Sequence, residues 1–172
     1  TVIGAGSWGT ALAIHLARAG LDVRLWGNDP GHIEQLQQQR CNQQYLPDVA
    51  FPDKLELYAS LEEALHGEDL MVLIVIPSHA YRSFFNASAA LFHEGMSIAW
   101  ASKGLEEGTG KLLHEVVIEE LGDAVPHGVV SGPSFAREVA RGLPTAVTVA
   151  SRYAEFRQTA ANWLHGDTFR AY

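Results

Sequence analysis

Apolar and polar positions in this chain follow two regimes. Short runs of β-branched and other apolar residues alternate with longer stretches whose apolar positions recur at helical spacing. The first run, Thr1-Val2-Ile3, leads into a stretch with Ala11, Leu12, Leu16, Ala17 and Ala19 apolar. This predicts a strand and then a helix from about Trp8 to Ala19, stopped by Gly20. Asp22 to Trp26 reads as a second strand. Asp29 suits the cap of a second helix and Pro30 its first turn. Gln35 to Pro52 is polar and punctuated by Tyr45, Pro47 and Pro52. It reads as a helix end and then an ordered loop, which either covers a neighbouring site or is a plain surface connection. Lys54 to Tyr58 is a short strand, and Ser60-Leu61-Glu62-Glu63 has capping-box spacing for a short helix ending near Gly67.

Leu70 to Ile76 is continuously apolar, as a parallel strand buried on both faces should be. Pro77 ends it, and Ser78 is placed to cap a helix running to about Phe92. Strands follow at Ser97 to Ala101, His127 to Val130, Thr145 to Ala150 and Thr168 to Tyr172. An amphipathic helix spans Thr109 to Leu121, another spans Tyr153 to Leu164, and Ser134 is placed to cap a further helix. Strands alternate with helices at least five times. That pattern predicts an α/β fold: a Rossmann-type doubly wound, mainly parallel sheet with helices on both faces. The strands near 145–150 and 168–172 extend the sheet and can bring in antiparallel pairing. The chain shows no internal repeat, low-complexity tract or flexible linker, and residues 1–172 read as one domain.

Composition narrows the function. The net charge of -8 argues against binding to nucleic acid or anionic membranes, while leaving room for an anionic small molecule met by local donors. The single cysteine, Cys41, cannot form an internal disulfide and suits a reducing, cytoplasmic setting, where it is a half-buried small residue. The eight histidines lack paired ligand spacing, so no structural metal is expected. No apolar run approaches the ~20 residues of a membrane span. The abrupt first strand without an initiator Met leads us to expect a trimmed N-terminus.

The candidate chemistry starts at Gly4-Ala5-Gly6-Ser7-Trp8-Gly9, a G-x-G-x-x-G between a strand and a helix. Gly4 permits the tight turn, Gly6 lets a pyrophosphate approach the backbone, and Gly9 lets helix and strand pack closely. The helix N-terminus then faces the anion. A ligand-free turn can carry the same glycines, but the strand that follows is the context the motif requires. An NAD-selective site usually places an acid about 20 residues past the glycines. Here that place falls near Gly27 and Asn28, which favours NADP with NAD as the alternative. Arg24 and His32 are either charge partners for a phosphate or solvated side chains. Pro77 to Ala80 should line the cleft, unless they form a simple turn. Lys103, at a strand's carboxyl end among small residues, is either a phosphate or carboxylate contact or a surface charge. Ser131-Gly132-Pro133-Ser134 offers close backbone approach at Gly132 and a cap at Ser134.

Taken together, these segments resemble the amino-terminal domain of the bacterial NAD(P)-dependent glycerol-3-phosphate dehydrogenases, over essentially the whole chain. The matching pieces are Gly4 to Ala11, Leu25-Trp26-Gly27, Tyr45-Leu46-Pro47, Val75 to His79, Trp100 to Glu106 and Ser131 to Ala136. The resemblance implies hydride transfer between a nicotinamide and C2 of dihydroxyacetone phosphate, giving sn-glycerol 3-phosphate for glycerophospholipid synthesis. It implies cofactor contacts at Ser7, Trp8, Asn28, Lys103 and Ala136, and substrate contacts at Lys103, Gly132 and Ser134. It also implies that the proton-transferring lysine, much of the phosphate grip and any homodimer contact belong to a helical domain beyond Tyr172, so no catalytic acid is named in this chain. Two readings compete with this one: a related dehydrogenase of another hydroxy or sugar acid, and a dinucleotide-sensing module without chemistry.

Overall fold

The computed structural model describes residues 1–122 and 125–172. The chain runs through β1 (Val2–Ile3), α1 (Ser7–Arg18), β2 (Val23–Trp26), α2 (Pro30–Gln39), β3 (Cys41–Asn42), β4 (Leu46–Ala50) and β5 (Leu55–Tyr58). It continues through α3 (Leu61–Ala64), β6 (Met71–Ile74), α4 (Tyr81–Ser88), β7 (Ser97–Trp100) and α5 (Leu113–Leu121). β8 (His127–Ser131), α6 (Ala136–Ala140), β9 (Thr145–Ala150), α7 (Ala154–Leu164) and β10 (Phe169–Ala171) complete it.

Eight strands form one sheet in the order β10-β9-β8-β7-β6-β1-β2-β5. All neighbours are parallel except β8 and β9, which pair antiparallel with Val130 opposite Val149. The expected antiparallel element therefore enters with β9, and β10 returns parallel to it. The pleat divides the core. Along β6, Val72 and Ile74 face one side of the sheet and Leu73 the other; along β7, Ile98 and Trp100 oppose Ala99. One apolar layer holds Leu12 and Ile14 of α1 with Phe156 of α7. The other holds Tyr81 and Phe85 of α4 with Val116 and Val117 of α5. Helices thus cover both faces, which is why the strands read as apolar runs.

Four local expectations need correction. Residues 41–50, expected as a loop, form the β3–β4 hairpin; β3 has only two residues, and Pro47 masks β4 in the sequence. The helix expected from Thr109 begins only at Leu113. Gly108 and Gly110 hold positive φ, and Glu115 caps the Leu112 N–H at 2.7 Å. Ser78 caps nothing: a 3₁₀ turn over Ser78–Ala80 precedes α4, which ends at Ser88 and gives way to a second 3₁₀ turn. Ser134 does not cap α6 either, because the cap position falls on Phe135. Asp29 does cap α2, accepting from the N–H groups of Gly31 (2.9 Å) and His32 (3.2 Å). None of the helices among the described residues is long and apolar enough to cross a membrane.

Candidate dinucleotide and substrate cleft

The sheet changes direction between β1 and β6: β2 lies on one side of β1, and β6 and β7 on the other. In open α/β sheets this switch point opens a crevice at the strands' carboxyl ends. The residues leaving β1, β2, β6 and β7 there are Gly4, Gly27, Val75 and Ala101.

The three motif glycines differ in what they answer to. Gly4 has φ +118°, and a Cβ there would lie 2.4 Å from the Val75 carbonyl oxygen. A Cβ on Gly9 would lie 1.9 Å from the Gly4 carbonyl oxygen. Both are glycine because the protein's own backbone fills the space. Gly6 differs, since its φ of -78° and ψ of -172° are extended backbone open to any residue. A Cβ on Gly6 would meet no heavy atom within 4 Å. Nothing among the described residues requires Gly6 to lack a side chain, so the space beside it is open to a group from outside. Gly6 also stands at the N-cap of α1, whose first main-chain bond is Thr10 N–H to Gly6 O. The N–H groups of Ser7 and Trp8 therefore have no partner within the helix. A pyrophosphate fits such a cradle by close approach and by charge.

Two hollows meet at Val75 and Ile76. The first, about 610 Å³, is lined by Gly4, Ala5, Gly6, Asn28, His32 and Tyr45, among others. Its outer wall is the hairpin, held by Asn42, which is fully buried. The Asn42 amide donates to the Ala5 carbonyl (3.0 Å) and the Thr10 hydroxyl (2.9 Å), and its oxygen accepts from the Tyr45 N–H (3.1 Å). The His32 ring meets Tyr45 edge-on, with centroids 5.3 Å apart. Among the described residues, Asp29 is the only acidic one on the lining, and its Oδ1 is engaged as the α2 cap. Arg24 lies elsewhere, donating to the Ala64 and His66 carbonyls, so the two basic residues flagged in the sequence separate here.

The second hollow, about 350 Å³, is lined by Trp8, Ala101, Ser102, Lys103, Ser134 and Ala136, with Phe135 and the two shared residues. Lys103 is exposed and has no ion pair or hydrogen bond among the described residues. The structure therefore gathers Gly4, Gly6 and Asn28 in one hollow and Trp8, Lys103, Ser134 and Ala136 in the other. Gly132 lines neither of these two hollows. A Cβ there would lie 2.5 Å from the Ala146 carbonyl oxygen, so its glycine is explained by packing against β9.

Sequence reasoning missed the residues that hold these parts in place. Asn42 sits in a tract that reads as a loop, and its partners are 32 and 37 residues away. Arg82 donates to both carboxylate oxygens of Glu106 (2.6 and 2.9 Å), a pair 24 residues apart. This guanidinium, with a hydrogen bond from Thr109, holds the Glu106 carboxyl down at about 2. No sequence pattern marks that pair beforehand.

Residues 1–157 match the family described as NAD-dependent glycerol-3-phosphate dehydrogenase N-terminus. The chain belongs to this family. It is 51% identical over 171 residues to the NAD(P)+ glycerol-3-phosphate dehydrogenase of Thioalkalivibrio sulfidiphilus, covering 99% of this chain and 51% of the relative. It is 50% identical to the enzyme of the same name from Pseudoalteromonas translucida, covering 100% of this chain and 51% of that protein. The crystal structure of glycerol-3-phosphate dehydrogenase from Coxiella burnetii superposes with a TM-score of 0.94 at 46% identity, covering 99% of this chain and 52% of that one. The chain spans about half the length of the curated relatives it matches.

Proposed function

We propose that this chain is the cofactor-binding half of an NAD(P)-linked sn-glycerol-3-phosphate dehydrogenase. The reaction is hydride transfer between a reduced nicotinamide and C2 of dihydroxyacetone phosphate, in a cytoplasmic enzyme that feeds glycerophospholipid synthesis. The observation that carries this reading is the meeting of two hollows at Val75 and Ile76, in a chain of this family. One has a glycine turn that leaves room for a pyrophosphate. The other offers a free lysine beside a serine.

In this reading Gly4, Gly6, Ser7, Trp8 and Gly9 form the pyrophosphate turn, and Asn28 borders the adenosine ribose. The hairpin with Tyr45 covers that end. Trp8, Lys103 and Ala136 flank the nicotinamide half. When bound, the dinucleotide supplies the hydride. Lys103 attracts the triose phosphate and stabilises charge developing near the carbonyl, an effect that strengthens where water is excluded. Gly132 contributes through its backbone and Ser134 through its hydroxyl, both to the substrate. The proton donor is a lysine of a second, helical domain, which also closes the Lys103 hollow and carries the contacts of a homodimer. NADP is the preferred cofactor, with NAD accepted, because no acid stands at Gly27 or Asn28 to repel a 2′-phosphate and Asp29 is committed to its helix.

The test is turnover by the full-length protein. Dihydroxyacetone phosphate should drive oxidation of NADPH, and sugar acids should not. Turnover of a sugar acid instead would transfer the reading to a related dehydrogenase. Cofactor binding without turnover of any hydroxy or keto acid would leave a dinucleotide-sensing module.

A further inference from the structure

Lys103 lies on an exposed loop, yet its two flanks are anchored to the same short stretch of helix. On the upstream side, the Tyr81 hydroxyl donates to Ser102 Oγ at 2.9 Å, and Ser102 Oγ donates to the Ile76 carbonyl at 2.6 Å. Tyr81 is fully buried, and burial pushes its phenol well above the usual range, so it stays a neutral donor. On the downstream side, Arg82 grips Glu106 in a two-pronged pair, and Glu106 is only 7% exposed. The same guanidinium reaches Glu119 (2.8 Å) and Glu120 (2.5 Å) on α5. Thr109 donates to Glu106, and the Glu106 N–H bonds the Lys111 carbonyl, which closes the loop on itself. Between the anchors, Gly104 at φ +95° turns the chain.

The two anchors are consecutive residues, Tyr81 and Arg82, at the start of α4. The turn just before them lines the glycine-side hollow through Pro77 and Ala80, and Ser83 and Phe84 line it just after. One helix start therefore touches the dinucleotide hollow and fixes the backbone on both sides of Lys103. We propose that the Arg82–Glu106 pair, with Tyr81–Ser102, is the positioning device for Lys103: these residues act on the triose phosphate through the lysine and not by touching it. A bidentate guanidinium–carboxylate pair suits this role, because it fixes direction as well as distance. The proposal rests on the functional reading above.

The test uses the full-length protein, and its first readout does not need turnover. Lys103 acylation by a small amine-reactive ester is followed by peptide mass spectrometry, with and without NADP plus glycerol 3-phosphate. Glu106→Gln keeps the shape of Glu106 and removes its charge. Arg82→Lys keeps a cation and removes the fork. In the wild type, the two ligands together should slow Lys103 acylation at least fivefold. In both variants that protection should fall below twofold, while acylation of Lys54, distant from the cleft, is unchanged. The KM for dihydroxyacetone phosphate should rise more than the Kd for NADPH. Wild-type protection in both folded variants would overturn the positioning role. If the wild-type Lys103 is not protected at all, this proposal also falls. Turnover of dihydroxyacetone phosphate by the wild type, measured in parallel, decides separately whether the reaction assigned above stands.

Discussion

The two hollows share Val75 and Ile76 but are built differently. The glycine-side hollow is enclosed by backbone: Gly4 and Gly9 sit against main-chain oxygens, and a buried asparagine ties the hairpin to the turn. The lysine-side hollow is bordered by exposed groups, with Lys103 free and Phe135 69% exposed. Its order comes from behind, through the charged pair on Glu106. The first hollow is shaped by close packing that a single methyl group would disrupt. The second is a cation on a braced loop, open on one side. Mutations should therefore divide, costing stability where Gly4, Gly9 and Asn42 pack against backbone and binding or catalysis at the open positions Gly6 and Lys103.

The largest contrast should come from Lys103→Ala in the full-length enzyme. Steady-state kinetics should show kcat/KM for dihydroxyacetone phosphate falling by ~10²- to 10³-fold, the scale of losing one electrostatic contact in a water-poor site. The melting temperature should move by less than about 3 °C, because an exposed unpaired lysine adds little to folding. Activity that survives the change would remove Lys103 from the reaction.

Next in size is the contrast within the glycine turn. Gly9→Ala drives a methyl group into the Gly4 carbonyl and should cost about 3 kcal/mol or more in urea unfolding. Gly6→Ala meets open space and should cost no more than about 1 kcal/mol, the penalty for alanine at an N-cap. Equal losses at the two positions would contradict the division between them. Asn42→Ala should fall between these, at about 1–3 kcal/mol, since it strands buried hydrogen-bonding partners. It should also weaken NADPH binding by loosening the Tyr45 wall.

The smallest effect concerns acid stability. The Glu106 carboxyl titrates at about 2 in the folded protein, below its ordinary value, because of Arg82 and Thr109. A depressed folded value means the unfolded chain takes up the proton first. The stabilisation is therefore complete above the ordinary carboxylate range and is lost as pH falls from that range toward about 2. Glu106→Gln should flatten this part of the stability–pH curve, read by thermal melts from pH 5 downward. An unchanged slope would mean that the Arg82 pair contributes little in solution.

The sequence made the fold legible because each buried strand announces itself twice, as an apolar run and by a turn signal at its carboxyl end. Leu70 to Ile76 and His127 to Val130 illustrate this, and the alternation of strands with helices sets the parallel order. The hairpin was not legible: two residues of β3 carry no period, and its anchor Asn42 depends on Ala5 and Thr10, far away in sequence. The positions of the candidate residues that line the two hollows were legible where they follow a strand end, as with Gly6 and Lys103. What braces them was not, because Arg82 with Glu106 and Tyr81 with Ser102 meet only once α4 has packed beside β7. The serine caps failed for a local reason. A 3₁₀ turn at Ser78 and a cap one residue late at Phe135 use the backbone in ways a capping pattern does not anticipate.

Whether the space beside Gly6 belongs to a dinucleotide is decided by calorimetric titration of the full-length protein with NADPH and NADH. The wild type and Gly6→Val are compared, with a thermal melt of each. One NADPH should bind per chain, and more tightly than NADH. In Gly6→Val both should be lost with the fold intact, because a Cβ at this position meets no heavy atom within 4 Å. Undiminished NADPH binding in a folded Gly6→Val protein would contradict that assignment.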